Sequence, residues 1–109
     1  MPNSTGRVDG DPMQKASLII KSGSFSGTRF EIATPDVIIG RTPTADLTLV
    51  DEGISREHAV ISWDEDRFSI EDLQSTNGTR VNGKRIRSVE LQDGDQIQIG
   101  RTLFTFRLG

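Results

Sequence analysis

The sequence predicts an all-β fold, a sandwich or a barrel of short, mainly antiparallel strands. Apolar and polar residues alternate with a period of two, as in 59–63 and 67–71. Such alternation is typical of strands with one buried and one exposed face. Asn-Gly and Asp-Gly pairs separate these segments and favour the positive backbone angles of tight turns. No segment carries a 3.6-residue apolar stripe over three turns, which argues against a helical core.

The predicted strands follow one another at short intervals along the chain. Their apolar centres lie, in order, at 18–20, 30–32, 37–39, 59–63, 68–70, 97–99 and 104–108. Three longer polar stretches interrupt this regular pattern, at 41–46, 50–57 and 74–79. Because binding residues usually lie on loops of a rigid scaffold, these stretches are the candidate functional segments.

Length and composition exclude several classes of protein. The 109 residues suffice for one domain, and 13 basic against 16 acidic residues give a net charge of −3. With no cysteine and one histidine, the chain lacks a disulfide framework, a thiolate zinc site and a multi-histidine metal site. We therefore expect no metal and no cofactor. The acidic balance argues against general nucleic-acid binding, and no apolar run approaches the roughly 20 residues of a membrane-spanning helix.

The chain divides into a tail and one domain. Residues 1–14 contain proline and glycine without apolar periodicity, which predicts a flexible N-terminal tail. Residues 15–109 keep a uniform pattern and form the predicted domain. The polar N-terminus lacks the features of a secretory signal, so we expect a cytoplasmic location. Nothing in the sequence indicates an oligomer, and we expect a monomer.

The three polar stretches share a chemistry. They contain Gly40-Arg41, Ser55-Arg56-Glu57-His58 and Ser75-Thr76-Asn77-Gly78-Thr79. Arginine offers a planar fork that matches phosphate oxygens, serine and threonine add hydroxyl donors, and asparagine can grip a peptide backbone. If the three loops share one end of the fold, they form an anion site beside a clamp for a peptide backbone.

These motifs, in this order, resemble those of the forkhead-associated (FHA) domain family. The resemblance covers about residues 17–108 and includes Val81-Asn82-Gly83 and the later segment 91–100. It implies a two-sheet sandwich of about eleven strands. It also implies binding of phosphothreonine peptides, a mode of recognition that depends on arginine.

The resemblance assigns roles to five residues of a phosphopeptide site. Arg41 would pair with the phosphate, Ser55 would donate its hydroxyl to a phosphate oxygen, and Thr76 would complete the phosphate cradle. Asn77 would hydrogen-bond the peptide backbone just after the phosphothreonine. Arg56 occupies a position that varies in the family and would contact the peptide or the phosphate.

Three further residues match structural positions of the family. Gly40, His58 and Gly78 would fix the shape of the loops without touching the ligand. The implied function is to recruit a host protein to partners that an upstream Ser/Thr kinase has phosphorylated on threonine. The main competing function is that of a phosphate-independent module for docking or oligomerisation.

Three further hypotheses each depend on a single feature of the sequence. Ser55 and His58 could be drawn as part of a hydrolase triad, but no Gly-x-Ser-x-Gly elbow surrounds the serine. Residues 78–84 match the first seven positions of a Walker A loop, but Arg85 replaces the required Ser/Thr. A phosphorylated Thr5 in the tail could occupy the domain's own site.

A basic segment allows more than one interpretation. Arg80, Lys84, Arg85 and Arg87 lie in a stretch with no acidic residue between Asp72 and Glu90. The four residues can be interpreted as an exposed hairpin face without a ligand or as a nucleic-acid surface. A third interpretation is a surface that binds acidic or phosphorylated residues beside the threonine of the peptide.

Overall fold

The structure is a computed structural model that describes residues 13–22 and 25–109. Thr5 and the predicted tail up to residue 12 lie outside the described residues. The described ranges contain eleven strands and no helix: β1 (Ala16–Ile20), β2 (Arg29–Ile32), β3 (Asp36–Gly40), β4 (Leu47–Thr48), β5 (Ala59–Asp64), β6 (Arg67–Asp72), β7 (Thr79–Val81), β8 (Lys84–Ile86), β9 (Ser88–Glu90), β10 (Gln96–Ile99) and β11 (Thr102–Leu108). Nothing within these ranges forms a helix long and apolar enough to cross a membrane.

The strands form two sheets, which confirms the predicted sandwich of eleven strands. One sheet has six strands in the order β2-β1-β11-β10-β7-β8, and the other has five in the order β4-β3-β5-β6-β9. Neighbouring strands are antiparallel with one exception. Strand β4 pairs parallel to β3, with Ile39 opposite Leu47 and Gly40 opposite Thr48.

The core lies between the sheets and is built by the alternation seen in the sequence. In β6, Phe68 and Ile70 are buried while Arg67 and Glu71 are exposed. Phe68 contacts Trp63 and Phe106 edge to face, with ring centroids 4.8 and 5.4 Å apart. Because each fully buried large apolar side chain contributes about 1.5–3 kcal/mol, this core is the main source of stability. The largest fully buried apolar side chains are Phe104, Phe106, Leu18, Ile39, Ile54, Ile61, Ile70, Ile97, Ile99 and Val37.

The β7–β8 hairpin turns at Asn82-Gly83, as the sequence predicts. Both residues have positive φ, 53° and 84°. This is the two-residue turn whose twist matches that of paired strands. A Walker A loop must connect a strand to a helix, so the hairpin rules out that interpretation of residues 78–84.

Register places the three polar loops at one end of the sandwich. Ile39 near the end of β3 lies opposite Ala59 at the start of β5, which in turn lies opposite Asp72 at the end of β6. The chain therefore leaves or enters these strands at the same edge. The loops 41–46, 49–58 and 73–78 meet there, which fulfils the condition for a shared site.

Candidate functional site

The first feature of the site is the close approach of two loops at Gly40. A Cβ atom at this position would lie 1.9 Å from the carbonyl oxygen of Arg56. The backbone N–H of Arg41 donates to the carbonyl oxygens of Ser55 and Arg56, at 3.1 and 3.0 Å. Glycine is thus required here because any side chain would push the loop 49–58 away from the end of β3.

The side chain of Arg41 is anchored at its inner nitrogen and free at its outer end. Its Nε donates to the carbonyl oxygen of Ile54 at 2.9 Å, and Ile54 is itself buried in the core. Arg41 is exposed, and its two terminal nitrogens have no hydrogen-bond or ion-pair partner among the described residues. The guanidinium therefore presents its outer nitrogens to solvent at the mouth of the loops.

Ser55 and Thr76 bring the second and third loops together. The backbone N–H of Thr76 donates to the Ser55 hydroxyl oxygen at 3.1 Å. This contact leaves the hydroxyl hydrogen of Ser55 free to donate to a ligand. The side chain of Thr76 is exposed on the same loop.

Asn77 makes a second contact between the second and third loops. Its Nδ2 donates to the carbonyl oxygen of Gly53 at 3.0 Å. The side-chain oxygen is then the group left to accept a hydrogen bond from a peptide N–H. Asn77 is exposed, so this oxygen is accessible to a ligand.

His58 is fully buried and joins the loops from beneath. Its Nδ1 accepts from the backbone N–H of Ser55 at 3.0 Å, and its Nε2 donates to the carbonyl oxygen of Gly78 at 2.9 Å. These partners assign the Nε2–H tautomer. Neither ring nitrogen faces the Ser55 hydroxyl, so this geometry does not form a catalytic triad. Gly78 has a φ of +85°, a backbone conformation that favours glycine.

Asp72 organises the third loop, a role that sequence reasoning missed. Its carboxylate accepts from the Ser75 hydroxyl, the Thr79 hydroxyl and the Ser75 N–H, while the Ser75 hydroxyl oxygen accepts from the N–H of Gly78. Partial burial opposes ionisation of Asp72, but the hydrogen bonds from Ser75 and Thr79 outweigh it and hold the pKa of the carboxyl below its usual value. The sequence signal was Asp72-x-x-Ser75, a local side-chain-to-backbone capping pattern.

Asp51 plays a similar part in the second loop. Its carboxylate accepts from the backbone N–H groups of Gly53 and Arg101, both at 2.8 Å. These two hydrogen bonds lower the pKa of Asp51 from its usual value against a smaller opposing effect of burial. The contact ties the loop 49–58 to the turn between β10 and β11.

Arg56 lies at the edge of the site. Its backbone carbonyl is used by Arg41, while its side chain is exposed. Together with Thr42, Thr44 and Ser55 it lines a shallow open groove that runs from the mouth of the loops. The eight residues that the family resemblance assigns to the site and to its structural positions thus lie at one end of the molecule, and the contacts that Arg56 makes with a ligand remain a prediction.

Comparison with known proteins agrees with this geometry. The profile of the FHA domain matches residues 37–100, a span that contains every one of these loops. The chain belongs to the FHA domain family. A solved structure from a structural and functional analysis of phosphothreonine-dependent FHA domain interactions is 36% identical, with a TM-score of 0.80, and the match covers 87% of this chain and 97% of that one.

Two curated relatives are regulatory proteins by name. An "oxoglutarate dehydrogenase inhibitor" of Corynebacterium efficiens is 40% identical over 99% of this chain and 75% of its own length. The "glycogen accumulation regulator GarA" of Mycolicibacterium smegmatis is 37% identical over 94% of this chain and 65% of its own length. The FHA domain therefore also occurs in proteins that are longer than this chain.

Proposed function

We propose that this FHA domain binds peptides phosphorylated on threonine through Arg41, Ser55, Arg56, Thr76 and Asn77. The observation that carries this proposal is the anchoring of Arg41. A guanidinium fixed at Nε with both terminal nitrogens facing solvent is suited to bidentate pairing with a phosphate. Such a pair adds geometric specificity to charge attraction.

The neighbouring groups complement the arginine. The free hydroxyl hydrogen of Ser55 lies on the loop that packs against Arg41, and Thr76 is hydrogen-bonded to that serine. A phosphate adds about −1.5 to −2 charges and three strong acceptor oxygens. Each hydrogen bond to a charged group contributes about 1.5–3 kcal/mol, whereas a micromolar complex has about 8 kcal/mol in all. Loss of the phosphate should therefore abolish measurable binding.

At the level of the whole protein, we infer a non-enzymatic regulatory role. The domain would recruit its host protein to partners phosphorylated by a Ser/Thr kinase, in the cytoplasm where that kinase acts. It would do so as a monomer and without a cofactor. The names of the two relatives, an inhibitor and a regulator, support this kind of role.

The test is fluorescence anisotropy with three matched peptide pools, carrying phosphothreonine, phosphoserine or unmodified threonine. We expect binding to the phosphothreonine pool only. Arg41→Ala should lower that affinity at least tenfold while leaving the unfolding transition cooperative. Equal affinity of Arg41→Ala and the wild type would contradict the role of the arginine. Equal binding of all three pools would instead favour the phosphate-independent docking module.

A further inference from the structure

The hairpin of β7 and β8 presents an unneutralised group of arginines. Arg80 and Arg85 lie directly opposite each other on the ladder, and Arg87 follows at the end of β8. All three are exposed, and none forms an ion pair within 4.0 Å with an acidic residue of 13–22 or 25–109. Like charges directly opposite each other destabilise a sheet. The hairpin therefore holds these cations together at a cost to the fold.

Arg85 lies against the loop that carries Thr76 and Asn77. A Cβ atom built on Gly78 would lie 2.6 Å from Nε and 2.9 Å from Cζ of Arg85, so the guanidinium rests on the backbone of Gly78. Gly78 is two residues beyond Thr76, a separation of at most about 7 Å between Cα atoms. An extended peptide advances about 3.3 Å per residue, so about two residues span the distance from Thr76 to Gly78. Arg87 lies two residues beyond Arg85 and extends the reach by about two residues more, to two to four in all.

Arg85 and Arg87 line an open groove along this loop. Gln74 and Ser75 also line it, and its acidic residues are Glu71 and Asp72. Asp72 is already engaged by the hydroxyls of Ser75 and Thr79. Glu71 is exposed and forms no ion pair with either arginine. The groove thus continues from the loop end of the sandwich, and the guanidinium groups of Arg85 and Arg87 are available in it to bind an anion.

We propose that Arg85 and Arg87 bind an anionic side chain of the ligand, a carboxylate or a second phosphate, two to four residues from the phosphothreonine. This inference rests on the proposed function and adds a residue preference to it. A nucleic acid is the less favoured ligand because Glu71 and Asp72 border the groove and the chain carries a net charge of −3.

The test uses labelled peptides with one phosphothreonine in a neutral background. Glutamate, glutamine or phosphoserine is placed singly at each of the four positions on either side. The proteins are the wild type, the double variant R85Q/R87Q and the control Lys84→Gln. Lys84 is an equal charge on the same hairpin, but it lies beside the Asn82-Gly83 turn, away from the loops.

We expect glutamate to raise affinity about fivefold over glutamine at one or more positions two to four residues from the phosphothreonine. The wild type and Lys84→Gln should both show this gain. R85Q/R87Q should lose it while binding the glutamine peptide as the wild type does. A larger gain with phosphoserine than with glutamate would identify a second phosphate as the better ligand, and the reverse order would identify a carboxylate. Relief of the repulsion between Arg80 and Arg85 should leave the double variant at least as stable as the wild type.

Four results would overturn the proposal. If the wild type binds phosphothreonine in an Arg41-dependent way without preferring either glutamate or phosphoserine over glutamine, or if R85Q/R87Q keeps the preference, the anion subsite is wrong and the proposed function stands. If no phosphothreonine peptide binds, both fail. If R85Q/R87Q instead loses binding to a labelled single-stranded oligonucleotide and peptide preference is absent, the arginines form a nucleic-acid surface.

Discussion

Replacing His58 tests whether one buried side chain holds the candidate site together. The imidazole accepts from the N–H of Ser55 and donates to the carbonyl of Gly78, so it links the second and third loops. In His58→Asn, the amide oxygen can take the place of Nδ1, but the amide is too short to reach Gly78. In His58→Ala both backbone groups lose their partner and the ring leaves a cavity.

The expected cost follows from the number of backbone groups left unpaired. An unsatisfied buried donor or acceptor costs about 1–3 kcal/mol. We therefore expect His58→Asn to lower the free energy of unfolding by about 1–3 kcal/mol and His58→Ala by about 2–6 kcal/mol, before any cavity contribution. Because whole domains are stable by only about 5–15 kcal/mol, the alanine variant should be near the limit of folding.

Urea denaturation followed by Trp63 fluorescence gives the stabilities, and anisotropy gives the affinity for a phosphothreonine peptide. Ser88→Ala, at an exposed position of β9, is the control and should stay within about 0.5 kcal/mol of the wild type. His58→Asn should bind the peptide more weakly even where it is fully folded, because the loop of Gly78 also carries Thr76 and Asn77. An asparagine variant with wild-type stability and affinity would refute the linking role of His58.

Two further predictions concern the same end of the sandwich. Gly40→Ala should lower the free energy of unfolding by about 3 kcal/mol or more, because its Cβ would meet the Arg56 carbonyl oxygen at 1.9 Å. This cost is at the upper end of the range for overpacked substitutions. A thermal melt equal to that of the wild type would contradict this contact. The pKa of Asp72 is lower in the folded protein than the value of about 3.9 in an unfolded chain. The contribution of Asp72 to stability is therefore fully present above about pH 3.9 and is lost as the pH falls through the folded pKa. Asp72→Asn should therefore flatten the acid limb of the stability profile measured by urea denaturation, and an unchanged limb would show that other carboxyls produce it.

The sequence predicted the strands whose apolar residues alternate, and it failed where a strand has no such pattern. Strand β4 is two residues long and lies inside a long polar region, so its parallel pairing with β3 has no periodic signal. The loop residues with known family roles could be named because they lie in short motifs. Asp51 could not, because one of its two partners is the backbone N–H of Arg101, which only the fold brings to the carboxylate. Asp72 had the local signal Asp72-x-x-Ser75, but its further contact with the Thr79 hydroxyl depends on the turn that the loop adopts.

The hydrogen bonds among the loops leave unused the groups that a phosphopeptide needs. Ser55 accepts from Thr76 but keeps its hydroxyl hydrogen, Asn77 donates to Gly53 but keeps its oxygen, and Arg41 donates through Nε but keeps its outer nitrogens. The free protein therefore already has its loops in place, and a ligand would not bear the entropy of ordering them. It follows that residues such as His58 act on affinity by positioning, and that their loss should weaken all phosphothreonine ligands by a similar factor. Loss of a residue that contacts a variable position of the ligand, as proposed for Arg85 and Arg87, should instead change the ranking of ligands.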